Sequence, residues 1–213
     1  MNTTALSPRC ARAGLLVPAL LACYLVWGST YLAIRLALVS FPPFFQMGTR
    51  FLAAGALLMG WLVWSSGRTG ARASEWPTRL QWRNALVIGT LMLGGGMGLC
   101  ATAEQHIGSG LVAAFIGVTP MLVCGWGFAL GQRPGRLEFA GMAVGVAGVL
   151  LLVRGASFSA SPAGATSIAG ATLAWSLGSV LSTTKLPLAP GAMGFASEML
   201  CGGAVLMVIS LAL

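Results

Sequence analysis

Tyr24-Leu25-Val26-Trp27-Gly28-Ser29-Thr30-Tyr31, a break at Phe41-Pro42-Pro43, and then Met47-Gly48-Thr49-Arg50-Phe51-Leu52-Ala53-Ala54-Gly55 form the stretch that decides the fold. Its layout returns downstream in a constant register. Trp27 answers to Trp175, Pro42 to Pro190, Arg50 to Glu198, Leu52 to Leu200, Gly55 to Gly203 and Met59 to Met207, each pair 148 positions apart. A register held through two apolar segments without a gap points to a duplicated hydrophobic unit, the pattern of secondary transport folds.

Composition sets the environment. Hydrophobic residues make up 57% of the chain and charged residues 8%, against roughly a quarter charged in a soluble domain. That much apolar surface cannot be hidden from water, so the expected partner is the lipid bilayer. The net charge of +8 does not indicate nucleic acid, because the basic residues stand between apolar runs and form no basic face. Cys10, Cys23, Cys100, Cys124 and Cys201 share no metal-ligand spacing. No metal or cofactor is expected. Asp is absent, and the acids are Glu75, Glu104, Glu138 and Glu198.

Length and breaks place seven runs able to cross an apolar core of roughly 30 Å, at 14–34, 44–64, 84–103, 111–130, 137–153, 165–181 and 192–213. Arg9, Arg12 and Leu20-Leu21-Ala22-Cys23 resemble a cleaved leader, but the apolar run continues to Ile34, so the segment is kept as a helix. The connections alternate in charge. Arg9, Arg12, Arg68, Arg72, Arg79, Arg83, Arg133, Arg136 and Lys185 fall on one side, and Arg35 and Arg154 on the other. The positive-inside bias then puts the N-terminus in the cytoplasm, with Trp64, Trp76 and Trp82 in the inner interfacial belt.

The Ser-, Ala-, Gly- and Pro-rich stretch 155–167 reads as a flexible outer linker, just where the repeated unit restarts. Residues 1–155 are thus expected to form a first five-helix unit, and 156–213 a second copy holding two helices. An odd number of helices per unit inverts the second copy across the membrane. The expected fold class is an all-α integral membrane bundle of inverted five-helix repeats, the second lacking about three helices.

Trp27 to Tyr31, Arg50 to Gly55, Thr119-Pro120, and Gly141-Met142-Ala143-Val144-Gly145-Val146-Ala147-Gly148-Val149-Leu150-Leu151, in this order and spacing, resemble the EamA family of the drug/metabolite transporter superfamily. The resemblance covers nearly the whole chain from about Gly14. It implies ten helices in two inverted repeats, both termini cytoplasmic, a place in the cytoplasmic (inner) membrane, and export of small metabolites, amino-acid-like compounds or drugs by alternating access. Two departures stand out: the last three helices are lacking, and Gln132 stands where many members carry an acid after helix four. The first sets an alternative beside the transporter, a truncated remnant or structural membrane subunit. The resemblance names no substrate, leaves proton coupling open and does not indicate an oligomeric state.

Trp27, Ser29, Thr30 and Tyr31, with Trp175 and Ser179 in the repeat, are candidates for the solute path, since π-faces attract cations and hydroxyls bond in either role. Interfacial anchoring and helix packing are the plain alternatives. Pro120 is expected to kink helix four, and Gly141, Gly145 and Gly148 to let helix five pack closely. Arg50 lies roughly 10 Å below the outer boundary if its helix starts near Pro43, and Glu198 a similar depth from the inner side. Some 10 Å in depth then separates them across a ~30 Å core. Arg50 is accordingly expected to gate the outer side with Glu104, or to snorkel alone, leaving Glu198 to a cationic solute or proton.

Enzymatic readings find little support. His106 and Ser109 share one short turn and lack the geometry of a nucleophilic dyad, and Ser109 reads as the N-cap of helix four. There is no Asp pair and no HExxH motif. Gly94-Gly95-Gly96 is not followed by the Lys-Ser/Thr of a phosphate loop.

Overall fold

The computed structural model describes residues 8–69, 76–131, 135–153 and 161–213. Among them the chain is helical and forms seven rods. We number them α1 (Pro8–Ala37), α2 (Pro43–Thr69), α3 (Arg79–Glu104), α4 (Ser109–Ala129), α5 (Arg136–Val153), α6 (Pro162–Thr184) and α7 (Ala192–Ala212). Gln132 and residues 155–160 of the expected linker lie outside the described residues.

The ends follow local chemistry. Pro43 opens α2 and Pro162 opens α6, each at a first-turn position that needs no N–H. The expected linker is therefore helical from Pro162 onward, because Ser161 caps α6 by accepting from the Gly164 N–H at 3.3 Å. Thr78 and Gln81 make a reciprocal capping box at the start of α3, at 3.2 and 2.8 Å. Gly191, with φ at +64°, makes the turn into α7, a conformation that a side chain would resist. At α4 the N-cap is Gly108, not Ser109, and no side chain caps it.

Two rods are irregular. The centre of α3, Thr90–Gly98, winds as a π-helix through the glycine triplet. α4 breaks at Gly117 and Val118, whose N–H groups bond three residues back to Ala114 and Phe115. Pro120 lies in the first turn after this break, and it has no N–H to offer the Ile116 carbonyl.

Five rods are long and apolar enough to cross a membrane: Leu16–Ala37, Pro43–Ser66, Arg79–Glu104, Ser109–Ala129 and Ala192–Ala212. The apolar part of α5, Leu137–Leu151, is shorter. α6 has the length but carries many hydroxyls, several bonded back to its own carbonyls, as Thr172 is to Ile168 and Ala169. It is also well enclosed by protein, with Ile168, Ala171, Thr172, Ser176, Gly178 and Val180 buried. The molecule is an all-α, multi-pass membrane bundle.

α3 is its hub, packed by α6, α7 and α2, and α2 and α7 also share an extensive contact. Glycine makes these approaches possible in lipid, where close van der Waals contact drives association. A Cβ on Gly89 of α3 would stand 2.8 Å from the Glu198 carbonyl, and one on Gly96 2.8 Å from the Trp175 ring. Across α2 and α7 the contacts are reciprocal. Gly55 sits against Leu200, its added Cβ 3.1 Å from the Leu200 N, and Gly203 sits against Leu52, 2.9 Å from the Leu52 N. Exchanging each residue for its counterpart 148 positions away turns one contact into the other.

The glycines of α5 behave otherwise. Gly141 and Gly148 have no neighbour within 4 Å of an added Cβ, and Gly145 meets only the Met121 methyl at 3.1 Å. The close packing expected of this face does not form among the described residues, because α5 touches the rest of the bundle mainly through the first half of α4.

Candidate functional site

Two cavities meet at Trp27 and Trp175. The smaller, about 410 Å³, lies between α1, α3, α4 and α6, and its wall includes Tyr31, Cys100, Thr119, Pro120 and Thr172. The break in α4 falls on this wall, with Ile116 and Gly117 beside Pro120. Irregular backbone at membrane depth is tolerated where it lines a cavity.

The larger cavity, about 580 Å³, opens between α1, α2, α3, α6 and α7. Its wall holds three pairs related by the 148-residue offset: Trp27 with Trp175, Arg50 with Glu198, and Phe51 with Met199. Thr30 and Phe195 also line it. Glu198 is 7% exposed, and the Arg50 guanidinium carbon lies 5.5 Å from the Phe51 ring centroid. Among the described residues the two charges are not bonded to each other. The cavity therefore presents a cation and a carboxylate to whatever enters, between aromatic walls.

Arg50 and Glu104 do not come together. Glu104 ends α3, fully buried, and its charged neighbour is Arg35 at the end of α1. Nη1 of Arg35 donates to the main-chain carbonyls of Glu104 and, at 3.0 Å, Ile107. The expected depth difference between Arg50 and Glu198 assumed straight rods along the membrane normal. The reciprocal crossing of α2 and α7, with both residues near the crossing, brings them to one cavity instead.

Ser29 and Ser179 line neither of these two cavities; the Ser29 hydroxyl bonds back to the Val26 carbonyl at 3.1 Å, and that of Thr30 to the same carbonyl at 2.9 Å. Sequence reasoning missed Thr172, Phe195 and Arg35, and also the bond from the Trp126 indole N–H to the Ser176 hydroxyl, 3.1 Å, which ties α4 to α6. Only Arg35 left a signal, an Arg at a helix end opposite the basic connections.

Residues 15–154 match the model of the EamA-like transporter family. The chain is 37% identical over 194 residues to the uncharacterized inner membrane transporter YedA of Escherichia coli K12, covering 91% of this chain and 61% of YedA. It is 30% identical over 132 residues to an uncharacterized transporter of Archaeoglobus fulgidus, covering 61% of this chain and 42% of that protein. The chain thus spans about three-fifths of the length of YedA. No solved structure matches it. With the family model covering well over half of the sequence, the chain belongs to the EamA-like transporter family.

Proposed function

We propose that the chain forms the wall of the solute path of a secondary transporter, an exporter of small metabolites, amino-acid-like compounds or drugs that works by alternating access. The observation that carries this reading is the cavity holding Arg50 and Glu198 between Trp27 and Trp175. Uncompensated charges in an apolar wall are costly, and membrane-embedded ones mark solute pathways. A guanidinium binds a carboxylate through parallel N–H donors, and a carboxylate accepts from an ammonium group. An amphipathic solute carrying both charges satisfies the two at once, its apolar body against the indoles.

Residues 1–155 and 156–213 belong, on this reading, to two related halves whose pseudo-twofold axis passes between α2 and α7. Transporter folds built of inverted repeats hold their solute at such an interface. The reciprocal Gly55–Leu200 and Gly203–Leu52 contacts support it. Binding of radiolabelled leucine, phenylalanine and tetraphenylphosphonium to the chain in lipid nanodiscs tests the site. The amino acids are expected to bind saturably and more tightly than the lone cation, and Arg50→Gln or Glu198→Gln to weaken them by about 10-fold or more, the scale of one charged hydrogen bond lost. Amino-acid binding that survives the double substitution unchanged, or that is absent from the parent chain, overturns the reading.

A further inference from the structure

Arg35 and Glu104 stand over the end of the smaller cavity. Tyr31 and Arg35 are one turn apart on α1, and Cys100 and Glu104 one turn apart on α3. Tyr31 and Cys100 wall the cavity, so the next turn of each helix brings Arg35 against Glu104 just beyond it. The guanidinium is spent on main-chain carbonyls, those of Glu104 and Ile107, as a cationic cap on the C-terminus of α3.

The Glu104 side chain is left without such a bond. It is 0% exposed, and both carboxyl oxygens are buried with no hydrogen-bond partner. Among the described residues, the titratable groups around it are Arg35 and Tyr31 from α1 and Cys100 on its own helix. α4 and α6 bring Val112, Ile168 and Ala171 to this end of the core, none of which titrates. His106, past the helix end, is exposed. Two acceptor sets thus compete for one guanidinium, a pair of carbonyls that holds it and a buried carboxyl that does not.

We propose that Arg35 and Glu104 form a proton-operated latch over the cavity walled by Tyr31 and Cys100. With Glu104 protonated, its oxygens need no cation, and Arg35 caps the carbonyls and holds α1 to α3. When Glu104 ionises, its proton passes to solvent and the buried charge demands a partner. The guanidinium moves to the carboxylate, the Ile107 carbonyl is released, and the turn that packs Ile107 against the start of α6 loosens. The only covalent change is the O–H bond of Glu104. The ligand of this site is a proton, and the device rests on the transporter reading for its purpose, linking access to the solute path with pH.

A distance measurement tests it without measuring transport, so failure of the solute site and failure of the latch are separable. The chain is placed in lipid nanodiscs with its five native cysteines replaced. Nitroxides go on Val39→Cys, after α1, and Thr166→Cys, in the opening turns of α6; both positions are exposed. The start of α6 lies at the same end, because Gly164 packs on His106 and Ile107. Between about pH 4 and about pH 9, a span that brackets ordinary and buried carboxyl groups, the parent is expected to gain a second, longer distance population as pH rises. Glu104→Gln should keep the acid distribution throughout, and Arg35→Gln the loosened one. A parent distribution that ignores pH, or a pH response that persists in Glu104→Gln, overturns the latch. Should Arg35→Gln fail to insert, the neutral isostere at Glu104 decides alone.

Discussion

Arg50 on α2 and Glu198 on α7 line one cavity although they stand 148 residues apart in the sequence. The same offset relates the Gly55–Leu200 contact to the Gly203–Leu52 contact. Two helices that cross through reciprocal glycine contacts are constrained to bring equivalent residues near the crossing. The opposed charges of Arg50 and Glu198 are therefore brought together by close backbone packing and not by mutual attraction. That leaves both charges available to a third party.

The first prediction uses this symmetry. If the two charges act on opposite ends of one solute, exchanging them should preserve the site with the solute reversed. The double variant Arg50→Glu/Glu198→Arg is expected to bind the amino-acid probes better than either single change, with a coupling of about 1 kcal/mol or more, as for groups sharing one network. Equilibrium binding of the four proteins closes the cycle. Additive losses would mean that the two residues act separately.

The second concerns the crossing itself. A Cβ on Gly203 meets the Leu52 N at 2.9 Å, and one on Gly55 meets the Leu200 N at 3.1 Å, so main chain must move. Gly203→Ala and Gly55→Ala are expected to destabilise the bundle by about 1–3 kcal/mol, the usual range for overpacking. Gly141→Ala and Gly148→Ala, which meet nothing, should be neutral or slightly stabilising, as Ala favours helix. Unfolding in mixed micelles ranks the four. Equal effects at all four positions would remove the argument from close approach.

The sequence carried the helices, because length and proline breaks survive in a single apolar chain. It did not carry which helix lies beside which. Arg35 read as a helix-end cation because nothing local says that α1 ends against the carbonyls of α3. Glu104 read as a partner for Arg50 because straight rods were assumed, whereas α3 carries a π-helical centre and α2 and α7 cross. The glycine pattern of α5 read as a packing face because glycines spaced along one side of a helix permit close approach; what spacing does not show is whether a neighbour is there.

The third prediction follows from a buried amide. Asn84 on α3 is 2% exposed, and its Nδ2 donates to the Pro187 carbonyl at 3.0 Å, joining α3 to the turn before α7. Its Oδ1 is buried without a hydrogen-bond partner. Asn84→Ala leaves the Pro187 carbonyl unmatched and is expected to cost about 1–3 kcal/mol. Asn84→Asp should cost more, since the donor becomes a second acceptor. An Ala variant as stable as the parent in the same unfolding assay would show that the carbonyl finds another donor.

The last prediction concerns orientation. The structure gathers the connections into two sets. Arg35, at the end of α1, bonds the end of α3, and Gly164, at the start of α6, packs on His106 and Ile107, so these turns share one face. Asn84, at the start of α3, bonds Pro187 ahead of α7, so those turns share the other. Arg79, Arg83 and Lys185 belong to the second face, and the first has Arg35 tied to carbonyls. The positive-inside bias then puts the second face in the cytoplasm. In a chain freed of native cysteines, Trp76→Cys and Lys185→Cys should react with an impermeant maleimide only after the membrane is opened. Val39→Cys and Gln105→Cys should react in intact cells. All four positions are exposed, so access and not burial decides the outcome. Labelling of Lys185→Cys in intact cells together with protection of Val39→Cys would invert the assignment, and would place Arg35 and Glu104 at the cytoplasmic end of the solute path.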